Sequence, residues 1–213
     1  MRYISFMKVA PATRRYTRRM PREQRREQLL DSTRDLIARD GWSALRINRV
    51  ADEAGIAKSV VYSIFGSMEG LQQAVMLREQ DRAFALAERA VDVARAETDP
   101  LLAVTGGLET FLEGVAEQPM TWRLVFVPAD NTPPGVREAI LEGRERWRRE
   151  IEEILRDLLG ESEPDIELVS HVLRGNVEYL ARLIVEDPVR FTPERITALG
   201  ARVAGFLLDR DPK

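Results

Sequence analysis

Residues 50–65 read Val50-Ala51-Asp52-Glu53-Ala54-Gly55-Ile56-Ala57-Lys58-Ser59-Val60-Val61-Tyr62-Ser63-Ile64-Phe65. Two short helical patterns meet there at Gly55-Ile56-Ala57. The first, about Ile47–Ala54, turns Val50, Ala51 and Ala54 inward; the second, about Lys58–Phe65, turns Val61 inward. With Ile56 they form a seam of small apolar side chains, which two helices need if they pack almost in contact. A support helix, a tight turn containing Gly and a second helix make the helix-turn-helix pattern. The outer face of the second helix then offers Lys58, Ser59, Val60, Tyr62 and Ser63. These are types that meet phosphates, base edges or a thymine methyl. The pattern alone also fits an ordinary helical hairpin in a bundle, and charge has to decide.

The whole chain of 213 residues carries a formal net charge of −3, which taken alone disfavours a polyanion partner. The sum hides a pattern. Residues 1–28 hold nine basic residues against Glu23 and Glu27, a net +7. The first 72 residues are +6 and the remaining 141 are −9. Such asymmetry separates a polyanion-binding end from a solvated body. Basic arms reach the minor groove beside motifs of this kind, whereas a basic tail could also serve solubility alone.

Composition excludes several classes. There is no Cys and one His, so disulfides, thiolate nucleophiles, Cys-ligated metals and multi-His sites within one chain are out. The lack of Cys suits a reducing cytoplasm. No apolar run approaches the ~18 residues of a membrane span. Lys8 cuts off Ile4-Ser5-Phe6-Met7, so the first segment lacks a secretory core. Its acid-free, Arg-rich residues 1–22 share features with a mitochondrial presequence. Met7 and Met20 are alternative starts. Arg outnumbers Lys 29 to 3, as in GC-rich bacterial genomes.

Gly and Pro punctuate a chain otherwise rich in Ala, Leu, Glu and Arg, so helices are expected throughout. After an arm over residues 1–21 comes a helix over Arg22–Arg39, closed by Asp40-Gly41. Ser67 is expected to cap a helix from Met68 into the high seventies, with Gly70 as a soft spot. Further helices are expected over 79–97, Pro100–Glu117, Val136–Leu159, Pro164–Val185 and Pro193–Leu208. Met120–Val127 is a short apolar piece and Pro128–Gly135 a loop. Gly106-Gly107 is a candidate kink.

Residues 25–72 resemble the DNA-binding domain of the TetR (tetracycline-repressor-like) regulators. The resemblance rests on Asp40-Gly41-Trp42 through Leu45, and on Val-Ala-x-x-Ala-Gly-Ile-Ala, four residues, then Tyr-x-x-Phe, ending in Glu69-Gly70-Leu71. It implies an all-α fold. A three-helix helix-turn-helix domain (22–72) would follow the basic arm (1–21) and precede a helical ligand-binding and dimerisation domain (73–213). It implies that Tyr62 contacts phosphate, Lys58 makes a polar contact and Phe65 packs the domain. Arg46 stands where the family often has a capping Thr; Arg46 can meet phosphate but caps poorly. Ser63 replaces a frequent His, and Met68 a frequent Lys. The expected DNA-binding set is Arg46, Lys58, Ser59, Val60, Tyr62 and Ser63.

In the family the last two helices pair across a two-fold axis, which here implies an interface of Leu173, Val177, Leu180, Ile196, Leu199, Val203 and Phe206. The alternative is that both faces bury within one chain. Ligand-binding candidates are Phe111, Trp122, Arg123, Phe126, His171, Asn176 and Tyr179, for an effector that is largely apolar. Trp147 is expected to anchor the charged Arg144–Arg149 stretch, itself a solvated face. No cofactor or metal is expected. These readings converge on a bacterial, cytoplasmic regulator, a repressor that binds a palindromic operator as a homodimer and is released by a small molecule. Rival classes are a helical enzyme using carboxylates such as Glu109, Glu113 or Glu178, and a nonspecific DNA-binding structural protein.

Overall fold

The computed structural model describes residues 20–126, 132–159 and 165–208. These residues form helices and connections with no strand among them. The first helix, α1 (Arg22–Asp40), buries Leu29, Leu30, Thr33, Leu36 and Ile37 on one stripe. Leu29 and Leu30 have no exposure, and burying a side chain of that size contributes roughly 1.5–3 kcal/mol. Gly41 N–H closes the helix on Ile37 O at 2.8 Å. A single 3-10 turn (Trp42–Ala44) buries Trp42 and leads into α2 (Ile47–Glu53) and α3 (Lys58–Phe65).

Next comes α4 (Met68–Arg95), capped by Ser67, whose hydroxyl accepts from Gly70 N–H at 3.0 Å. Two expectations change here. One unbroken helix stands where two were expected, and Gly70 is no soft spot. A Cβ at residue 70 would lie 2.3 Å from Phe65 O, so the backbone of α3 occupies that space.

The remaining helices are α5 (Pro100–Glu117), α6 (Pro119–Val125), α7 (Pro134–Leu159), α8 (Ile166–Glu186) and α9 (Pro193–Leu208). Pro119 opens α6 as well as ending α5, and Pro134 starts α7 two residues early, since proline suits a first helical turn. Asp99 and Asp165 accept backbone N–H bonds at the starts of α5 and α8. The expected kink at Gly106-Gly107 falls inside a continuous α5. Its glycines serve close packing on α4: a Cβ at Gly107 would meet Ala90 O at 3.0 Å, and one at Gly114 would meet Leu86 at 2.2 Å. Most of the arm, part of the 128–135 loop, Gly160 and Pro164 lie outside the described residues.

Two apolar cores result. The first joins α1–α3 to Leu71, Val75 and Met76 of α4, and takes in Leu124 of α6 and Val136 and Ile140 of α7. The second holds Ala83, Leu86 and Ala90 of α4 with side chains of α5, α6, α8 and α9. The expected boundary at residues 72 and 73 thus falls within α4, and α4 and α6 serve both cores.

Candidate nucleic-acid interface and internal cavity

The turn between α2 and α3 is built by backbone. Gly55 takes φ +65°, which a residue with Cβ rarely adopts. Gly55 N–H donates to Asp52 O at 3.1 Å and Ile56 N–H to Ala51 O at 2.9 Å. Below it, Val50 and Val61 have no exposure, and Ala51 and Ala54 are buried. Gln28 of α1 donates to Ala54 O at 3.2 Å, tying the turn to the first helix.

That packing leaves Lys58, Ser59, Tyr62 and Ser63 on the outer face of α3, with Tyr62 49% exposed. Val60 is half-buried rather than fully outward. Ser63 donates to Val60 O at 2.8 Å within its own helix. Arg46 precedes α2 without capping it; its guanidinium donates to Ser43 O at 2.8 Å and Leu45 O at 2.7 Å. Arg22 is an addition to the expected set. It donates to Ser63 O at 3.2 Å, which stands a cation beside the last turn of α3. Its only sequence signal was membership of the Arg-rich run. Arg49 donates a 2.5 Å bond to Asp40, and this holds the Asp40 carboxyl below the usual range against the cost of desolvation.

Beside the second core, α4–α8 line a partly open cavity with about 60 Å³ of free space. Phe111, Trp122 and Phe126, three of the ligand-binding candidates, line it. Trp122 meets Phe111 edge-on at 5.2 Å and lies 5.0 Å from Phe126. Trp147 lies 5.9 Å from both Phe84 and Phe111, so it lines the cavity besides anchoring its helix. His171, Asn176 and Tyr179 do not line it. They stand on the exposed side of α8, whose inward side carries Val177 and Glu178. Asn176 donates to Val172 O, and Tyr179 is 59% exposed. Arg123 is one residue round α6 from Trp122 and borders a groove with Ile37 and Trp42 instead. Phe84, Arg174 and Glu178 are lining residues the sequence reading did not single out as such. Glu178 accepts from Arg174 at 2.7 Å, Arg182 at 3.0 Å and Arg144 at 3.4 Å. Arg148 is no solvated residue either: Glu145 and Glu152 clasp it, and it reaches Ser170 at 3.3 Å.

Beside the cavity lies a charged knot. Glu79 has no exposure and accepts from Arg78 at 2.6 Å, Arg82 at 3.2 Å and Thr121 at 2.5 Å. Arg78 also pairs with Glu27 at 3.0 Å and Asp31 at 3.1 Å on α1. Removing an ion from water is costly unless it is paired. Here the carboxylates, Glu79 first, keep Arg78 charged against that cost.

On α8 and α9, Leu173, Leu199 and Val203 are exposed, while Val177 and Leu180 pack half-buried on the second core. Ile196 is 5% exposed within the chain's own core and is not available to a partner. The side chain of Phe206 lies outside the described residues. The outward stripe of α8 is instead Leu168, Val172 and Tyr179, 57%, 54% and 59% exposed.

Among the described residues no helix is long and apolar enough to cross a membrane, and no cluster of acidic or His residues could hold a metal. Glu109 and Glu113 are exposed, and Glu178 is bound by arginines.

Residues 29–75 match the family model for bacterial regulatory proteins of the tetR family. The chain is 38% identical over 106 residues to the HTH-type transcriptional regulator AlkX of Mycobacterium tuberculosis, covering 50% of this chain and 46% of that one. It is 30% identical over 118 residues to the HTH-type transcriptional activator FasR of Mycolicibacterium smegmatis, covering 55% and 52%. The matched part thus spans about half the length of these relatives. Their names are those of transcriptional regulators, not enzymes. A TetR-like transcriptional regulator from Rhodococcus sp. RHA1 shares the fold, with a TM-score of 0.70 over 90% of this chain and 100% of that one at 21% identity. The helix-turn-helix on α2 and α3 thus lies within the segment that matches the tetR-family model, and the chain as a whole has the fold of a TetR-like regulator.

Proposed function

We propose that the protein is a cytoplasmic repressor that binds a palindromic operator as a homodimer and leaves it when a small molecule enters the aromatic cavity. The observation that carries this reading is the double membership of α6. Trp122 and Phe126 belong to the cavity, and Leu124 belongs to the core beneath the helix-turn-helix. A guest that displaces Trp122 therefore disturbs the packing of α1. A ligand shifts such an equilibrium only by its differential affinity for the two states. Lys58, Ser59, Tyr62 and Ser63 would face DNA, with Arg46 and Arg22 on flanking phosphates.

Leu168, Val172, Tyr179, Leu199 and Val203 would form the dimer contact. Each is a large apolar or aromatic side chain left exposed on α8 or α9, which suits cover by a second copy. A two-fold dimer sets two copies of α3 about 34–36 Å apart, one DNA turn. FasR, the relative named an activator, favours a second reading in which the same binding recruits transcription.

Footprinting on the bound promoter, with a reporter, tests the reading. A protected palindrome overlapping the promoter, with reporter output rising on deletion of the regulator, is the expected result. Protection upstream with falling output supports activation, and equal affinity for every duplex overturns specific binding. A Val203→Arg variant should sediment as a monomer and lose operator affinity.

A further inference from the structure

We infer that the cavity takes a small aromatic acid, with its ring among the cavity's own rings and its carboxylate on Arg174. This rests on reading the cavity as the effector site. Three observations carry it. First, the walls are aromatic rather than aliphatic: Phe84, Phe111, Trp122, Phe126 and Trp147 each lie 5.0–5.9 Å from another ring of the group, in tilted or edge-on geometry. Such an array offers faces and edges that favour a flat π-system over a flexible chain. Second, the free space of about 60 Å³ is far below the ~300–1,000 Å³ of sites for larger ligands. So small a space favours a single ring over a bulkier ligand.

Third, a guanidinium on the cavity wall, Arg174, shares its carboxylate partner with two others. Arg144, Arg174 and Arg182 all address the single carboxylate of Glu178. Arg174 and Arg144 line the cavity; Arg182 lies behind, also donating to Phe126 O at 2.8 Å. An arriving carboxylate can take Arg174, while Arg182 and Arg144 keep Glu178 paired. A guanidinium fork suits a carboxylate in two parallel bonds. Phe126 O and Arg182 tie α8 to the end of α6.

Calorimetry on the full-length protein with benzoate, benzamide and octanoate tests this. Benzoate should bind roughly tenfold tighter than its uncharged isostere benzamide and than the equally charged octanoate. Arg174→Met should bring benzoate down to the benzamide level and leave benzamide unchanged. Arg174→Lys should keep part of the preference, and Trp147→Leu should weaken both aromatic compounds. Equal binding of benzoate and benzamide, tighter binding of octanoate, or no saturable heat from benzoate overturns the inference. Operator release is measured separately. If benzoate binds as expected and operator affinity does not change, the effector reading fails and the ligand class stands.

Discussion

Thr121 Oγ1 on α6 donates a 2.5 Å hydrogen bond to the carboxylate of Glu79, which is wholly buried on α4. Trp122, the next residue, lines the cavity, and Arg78, the preceding residue on α4, pairs with α1. The pair thus stands between the cavity and the helix that supports the turn of the DNA-binding motif.

Thr121→Val keeps the shape and removes the donor. Leaving a buried carboxylate oxygen unpaired costs about 1–3 kcal/mol. A lower urea midpoint with an unchanged slope is expected, together with a weaker response of operator binding to any effector. Glu79→Gln should cost more, because Arg78 and Arg82 would then lose their buried counter-charge. Unfolding midpoints equal to wild type for both variants would remove the pair from any structural role.

Gly70→Ala is expected to destabilise by about 1–3 kcal/mol, the usual scale of overpacking. The cause is a Cβ placed 2.3 Å from Phe65 O, with backbone rather than a yielding side chain as the obstacle. Thermal unfolding reads the loss directly. An alanine here should also shift α3 against α4 and lower operator affinity beyond what stability explains.

Tyr62→Ala and Lys58→Ala change exposed residues, so the melting temperature should hold within the small range of surface substitutions. Operator affinity should fall for both. For Lys58 the salt slope of binding should also drop by about 1, the signature of one lost phosphate contact. An unchanged slope would place Lys58 away from the backbone of the duplex.

The Arg148 clasp predicts an acid response. Hydrogen bonding from Arg148 holds the Glu145 carboxyl down to about 2, from an ordinary 4.5, and Glu152 is lowered by the same guanidinium. A carboxyl whose folded pKa is depressed stabilises fully above its unfolded value and loses that contribution as pH falls toward the folded one. Stability should therefore decline from about pH 4.5 to about 2 through this cluster. Arg148→Met should flatten that part of the profile, as measured by denaturant midpoints across pH.

The sequence carried the DNA-binding end well because each element there ends on a residue with a local reason. Gly41, Gly55 and Ser67 mark stops and starts that need no distant partner. The long α4 did not read as one helix because Arg78, Glu79, Gln80, Asp81 and Arg82 interrupt its apolar period. Their partners, Glu27, Asp31 and Thr121, lie on other helices, and no local pattern announces them. In the cavity, Phe111, Trp122 and Phe126 follow from being large and apolar. His171, Asn176 and Tyr179 were picked for their chemistry, and helix phase turns them outward. Ile196 failed for a related reason: an apolar stripe does not say whether its own chain or a second copy covers it.

The unbroken run of α4 has a mechanical consequence. Twenty-eight residues at a rise of ~1.5 Å make a rod of about 42 Å. The cavity meets it about midway, at Gln80, Ala83 and Phe84, so a tilt of about 6° there would carry Met68, ~20 Å away, roughly 2 Å sideways. That distance is comparable to the reach of a single hydrogen bond, so a stiff shaft of this length can turn a slight adjustment around one ring into lost contact with a phosphate.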